Sequence, residues 1–97
     1  MKIKYYVENE KGEKVLVRTS ANEYKYALVD IKYINEGKKG IYCCSGTYDN
    51  IMKQYNYYKK VYTENANYSL DKGSEDYYKR NLESLNNLKI VELVRGC

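Results

Sequence analysis

The sequence predicts an α+β fold: a mostly antiparallel sheet of four to five strands with two helices on one face, in the order β-β-β-β-α-α-β. Three observations carry this. Residues 2–8 and 14–19 alternate apolar and polar side chains around a glycine turn, the period of half-buried strands. Tyr48, Ile51, Met52, Tyr55, Tyr58 and Tyr62 recur at helical spacing. Residues 88–94 then close the chain as an apolar run of strand length. Helices gathered after paired strands belong on one face of an antiparallel sheet.

The elements follow in order. Ile3, Tyr5 and Val7 share one face of the first strand, and Lys4, Tyr6 and Glu8 the other. Asn9-Glu10-Lys11-Gly12 supplies the hairpin turn, with Gly12 placed for a positive φ. Lys14 to Thr19 returns through Val15 and Val17. Ser20-Ala21-Asn22-Glu23 fits a capping box, yet the β-branched and aromatic stretch from Tyr24 to Ile34 suits a strand better, so a turn and a strand over 24–34 are expected. Glu36 to Gly40 makes a second turn and Ile41 to Ser45 a fourth strand, completing a second hairpin. Ser45-Gly46-Thr47 breaks that strand and caps an amphipathic helix of about four turns, with Asp49 in its first turn. Residues 65–73 read as a polar linker. Ser74 caps a second helix with Glu75 and Asp76 in its first turn and a stripe of Tyr78, Leu82 and Leu85; Asn86-Asn87 ends it through the left-handed conformation asparagine tolerates. The last strand, polar only at Lys89 and Glu92, reads as interior to the sheet.

The chain has 97 residues, a length that suits one domain spanning 1–97. Formal charge is +4, with +3 over residues 1–46 and +1 over the remainder. So shallow a basic bias permits nucleic acid without demanding it, and its sign excludes acidic mimicry of DNA. Three cysteines form no disulfide framework, which together with the missing apolar leader and membrane-length run points to a reducing cytosol and no membrane partner.

Histidine is absent, which removes Ser-His-Asp, Cys-His and His-metal chemistry together. Cys43 and Cys44 are adjacent on a strand, point to opposite faces and cannot chelate one ion, so neither a metal nor a cofactor is expected. They precede a helix N-terminus, where a thiol can be activated, but no partner base is visible. Asp30 and Glu92 each interrupt an apolar strand, and a solvent-facing position accounts for both. No carboxylate pair is set for acid–base work, and the expectation is a protein that is not an enzyme.

Fourteen tyrosines without Phe or Trp are the unusual feature. Each buried phenol needs a hydrogen bond, so a core this small leaves several rings at the surface, where tyrosine anchors contacts. Lys53, Tyr57 and Lys60, with Glu64, project opposite the apolar stripe of the first helix. With Tyr24 and Tyr26 the first three form the candidate interface, for a protein partner in the first reading and for a nucleic acid or nucleotide in the second. Ser45, Gly46 and Thr47, at a strand-to-helix crossing, are candidates for an anion contact. The residues leave oligomeric state open, a homodimer included. In size, Lys/Asn/Tyr-rich composition and lack of catalytic residues, the chain resembles the short accessory proteins of phages infecting AT-rich bacteria. Some of those are anti-CRISPR or other anti-defence inhibitors, and the resemblance implies a small inhibitor that works by contact.

Overall fold

The computed structural model describes residues 2–96. Its element order is β1 (Ile3–Glu8), β2 (Lys14–Ser20), β3 (Tyr26–Asp30), α1 (Ile31–Asn35), β4 (Ile41–Ser45), α2 (Tyr48–Asp71), α3 (Glu75–Asn87), β5 (Leu88–Glu92) and β6 (Val94–Gly96). The α+β character and the antiparallel pairing match the sequence reading. The single sheet does not: the strands form two three-stranded sheets, β2-β1-β6 and β4-β3-β5.

The two sheets and α2 stack as three layers with β3 in the middle. Ala27 and Val29 face the first sheet and join Tyr5, Val7, Val15, Val17 and Ile34 in one buried cluster. Leu28 points the other way and meets Ile51 of α2 and Leu88. A strand buried on both faces must be apolar at every position, which is why Tyr26–Val29 shows no alternation. In β4 the register slips between Leu28↔Cys43 and Val29↔Ile41, leaving Tyr42 as an extra residue. Tyr42 and Cys43 therefore both pack on the helix side, while Ile41 and Cys44 pack against the other cluster. A similar slip in β2 between Tyr5↔Arg18 and Tyr6↔Leu16 leaves Val17 as the extra residue, buried in the core, with the Arg18 guanidinium 5.1 Å from the Tyr24 ring centre.

The first hairpin forms as expected, with Gly12 at φ 77°. The Asn9 side chain organises its turn by accepting from the Lys11 and Glu13 amides and donating to the Ile34 carbonyl.

Several expectations need correction. The strand over 24–34 stops at Asp30, whose side chain accepts from the Lys32 amide and starts α1. Helical spacing then brings Ile31 and Ile34 to the same core. Asp30 is accordingly 7% exposed rather than solvent-facing; Glu92 is exposed as read. The first long helix has 24 residues, not about four turns, and it absorbs most of the supposed linker 65–73. Its stripe continues past Tyr62 through the buried Ala66 and Ser69, small residues on the helix that packs against α3. Ser74 stands at the N-cap position of α3, but its side chain makes no capping hydrogen bond. The final strand breaks at Leu93, whose amide bonds to the Lys25 carbonyl, so β5 and β6 are edge strands of two different sheets and neither is interior. Finally, α3 ends at Asn87 without left-handed asparagine: among the described residues only glycines have positive φ, and Leu88 passes straight into extended backbone. Gly96 lies against the Tyr6 ring, where a Cβ would overlap it.

Candidate interaction surface

Of the fourteen tyrosines only Tyr5 is fully buried, and Tyr33, Tyr48, Tyr57, Tyr68 and Tyr77 are exposed. Hydrogen bonding makes the burial of Tyr5 possible: its hydroxyl donates to the Asn22 carbonyl at 2.7 Å and accepts from the Tyr24 amide at 2.9 Å. The remaining rings are half-buried.

Along α2, Tyr58 packs on Tyr42 with ring centres 5.1 Å apart, and Tyr62 reaches the same Tyr42 edge-on, its hydroxyl donating to the Tyr42 hydroxyl at 3.1 Å. Burial, and then this bond, pushes the Tyr42 phenol far above the ordinary tyrosine value. Burial raises Tyr58 as well. Tyr57 stands at the outer end of this aromatic chain, edge-on to Tyr58 at 5.6 Å and 60% exposed.

The predicted trio Lys53, Tyr57 and Lys60 is exposed on one face of α2. The longer helix extends it: Lys53, Tyr57, Lys60, Glu64, Tyr68 and Lys72 follow at intervals of three or four residues, all exposed. From Lys53 to Lys72 the ridge runs about 28 Å along the helix axis. Lys60 lies 4.0 Å from Glu64, and the Lys72 ammonium lies 5.7 Å from the Tyr68 ring centre. Tyr68 was hidden in the sequence because its segment reads as a linker; the signal that finds it is its spacing of i+11 from Tyr57, about three turns along the same face.

Tyr24 and Tyr26 are half-buried rather than free. Tyr24 packs edge-on to Tyr5 at 5.7 Å beneath the Arg18 guanidinium, and Tyr26 edge-on to Tyr48 at 5.6 Å. The Asn22 side chain donates to the Tyr24 hydroxyl, which holds that phenol below the usual value, with the Arg18 charge acting in the same direction. Both rings line an open cavity of about 430 Å³ with Lys25, Glu92, Leu93 and Arg95, where the chain crosses between sheets. No ring contact or hydrogen bond joins this pair to the α2 ridge among the described residues.

At the candidate anion contact, the Ser45 hydroxyl accepts from the Thr47 amide and the Thr47 hydroxyl accepts from the Asn50 amide, both at 3.3 Å. Ser45 is buried, its carbonyl accepts from the Lys25 amide, and Asp49 already brings a carboxylate to the first turn of α2. These groups build the helix cap.

Cys43 and Cys44 pack into opposite clusters, and burial pushes both thiols up, away from the thiolate form. Cys97 lies outside the described residues. Among the described residues no three His, Cys, Asp or Glu side chains are placed to hold a metal ion, and no helix is long and apolar enough to cross a membrane. No family model, curated protein or solved structure matches this chain.

Proposed function

We propose that this chain is a non-enzymatic binding protein that occupies a surface of a protein partner, of the kind phage-encoded, anti-CRISPR-like inhibitors of bacterial defence systems use in the host cytoplasm. The observation that supports this reading is the exposed Lys-Tyr-Lys-Glu-Tyr-Lys ridge of α2. Rings held in water at this density are explained by contact, since tyrosine contributes large, rigid, amphipathic area at interfaces. A ridge carrying three ammonium groups against one carboxylate fits an acidic groove on the partner. Tyr24 and Tyr26 form a second, recessed contact.

The test is co-elution on size exclusion with purified defence effectors, comparing the native chain with Tyr57→Ala and Tyr68→Ala. The reading expects a complex that each substitution weakens about 30-fold or more, the mark of an interface hot spot. Complexes that form undiminished with both variants would remove the ridge from the interface.

The alternative is a nucleic-acid or nucleotide-binding module on the same ridge, favoured by ammonium groups flanking exposed rings that can stack on bases. Affinity for single-stranded oligonucleotides would then fall steeply with salt. A salt-independent or absent shift in a gel assay rejects it.

A further inference from the structure

Between α1 and the second half of α3 lies a cavity of about 250 Å³, walled by Asp30, Tyr33, Arg80, Ser84 and Asn87 with Lys32 and Glu83 beside them. None of these residues belongs to the α2 ridge. The charges divide into a matched pair and an open pair. Lys32 and Glu83 face each other at 2.7 Å, joining α1 to α3; each holds the other in its ionised form.

Asp30 and Arg80 are the open pair. Asp30 is more than nine-tenths buried, and one of its oxygens accepts from the Lys32 amide. The other has no protein partner, yet among the described residues no fully buried side-chain oxygen lacks one. That second oxygen therefore opens on a hollow. Asp30 lines two, the cavity with Arg80 and a smaller one of about 190 Å³ with Lys39. The Lys32 amide meets one oxygen of this carboxylate, and the other is left to accept from a cation or donor in the hollow. Arg80 has no carboxylate within ion-pair distance among the described residues, and its planar guanidinium suits a carboxylate ligand.

We propose that the larger cavity binds a small zwitterion of the α-amino-acid type, its ammonium on the free oxygen of Asp30 and its carboxylate on Arg80, with the Ser84 hydroxyl and Asn87 amide beside it. The volume limits the ligand to a few heavy atoms beyond the backbone. A simple anion would satisfy Arg80 and leave Asp30 unmet; a simple amine would do the reverse. The site stands apart from the protein-contact reading and survives its failure.

The test is an NMR titration of the full-length, isotope-labelled chain with glycine, L-alanine and L-serine, with sodium acetate, methylammonium chloride and N-acetylalanine as half-ligands. The expected result is a saturable shift of the Ser84 and Asn87 amides with the amino acids, at least about tenfold weaker with each half-ligand. Asp30→Asn retains a helix-capping side chain, and Arg80→Gln changes an exposed residue; each should weaken binding about tenfold or more, while Lys39→Gln in the smaller hollow leaves it unchanged. If Asp30→Asn does not fold, Arg80→Gln and the half-ligands decide alone. Absence of saturation at millimolar amino acid overturns the proposal. So does an equal response to acetate, which would mark a lone anion contact at Arg80, or binding that survives Arg80→Gln. Binding lost in Lys39→Gln would move the ligand to the other hollow and overturn it equally.

Discussion

The two faces of the β4-β3-β5 sheet are built from different chemistry. Toward the first sheet, Ala27 and Val29 meet a mostly aliphatic cluster almost wholly withdrawn from water, whose one fully buried ring, Tyr5, has its hydroxyl held by the Asn22 carbonyl and the Tyr24 amide. Toward α2, only Leu28, Ile51 and Leu88 are buried, and a rim of Tyr26, Tyr42, Tyr55 and Tyr58 covers much of the rest. Aliphatic burial gives stability without conditions, because no polar atom needs a partner. Tyrosine burial gives area on condition that the hydroxyl reaches water or a neighbour. The first face therefore closes on itself, and the second runs outward through Tyr58 to the exposed Tyr57. On the proposed reading, stability and contact fall on opposite sides of one strand.

If this division is right, the largest stability loss belongs to the aliphatic side. Ile34→Ala, at a fully buried position in that cluster, should cost about 2–5 kcal/mol in chemical denaturation. A loss under about 1 kcal/mol, nearer the scale of a surface change, would mean the cluster is looser than its burial indicates. Tyr5→Phe comes next. It strips the Asn22 carbonyl and Tyr24 amide of their shared partner, which should cost about 1–3 kcal/mol, more than the hydroxyl's own net bond strength, because two backbone groups are left wanting.

On the tyrosine side, Tyr62→Phe removes only the hydroxyl donated to Tyr42, and about 0.5–1.5 kcal/mol is expected. That side also carries a pH signature. Burial, then the Tyr62 bond, raises the Tyr42 phenol in the folded chain, whereas the unfolded chain releases that proton near pH ~10. The contribution is thus fully present below about pH 10 and lost as pH rises beyond it toward the folded value. Tyr42→Phe should flatten the fall in stability above that pH. Alkaline titration followed by tyrosinate absorbance should find Tyr24, whose phenol the Asn22 bond lowers, ionising well before Tyr42; the reverse order would contradict the burial of Tyr42 beneath α2.

How much of this was legible in the sequence follows the same division. The first hairpin and the start of α2 declared themselves because each has one wet face, and wet faces leave a period. The α2–α3 contact did not, because Ser69 and Asn81 are buried yet bond to the Asn65 and Tyr77 carbonyls of their own helices. Such residues look like linker in sequence while packing as core. The division into two sheets was equally hidden: residues 88–94 form one apolar run, and only the bond from Leu93 to Lys25 tells where the chain changes sheets. For the site, Lys53, Tyr57, Lys60 and Glu64 were legible as an outward face, but Tyr68 and Lys72 beyond them depended on a helix length the polar composition concealed. The cavity at Asp30 was illegible, since α1 and α3 meet there only through tertiary packing.

The smallest stability effect is expected where the contact reading places the largest functional one. Tyr57 meets another ring only at the edge of Tyr58 and is otherwise mostly in solvent, so Tyr57→Ala should change stability by about 0.5 kcal/mol or less. Tyr58→Ala, one residue away, removes a ring seated on Tyr42 and should cost about 0.5–1.5 kcal/mol for the aromatic pair alone, with the lost burial added. Measured together by denaturation, the two substitutions ask whether the aromatic chain has a structural end and a free end. Equal losses would make Tyr57 a structural ring and remove the reason for reading the ridge as a contact surface. A near-silent Tyr57→Ala leaves that ring with no work inside the molecule, and a residue of this size kept in water without internal work is best explained by something outside it.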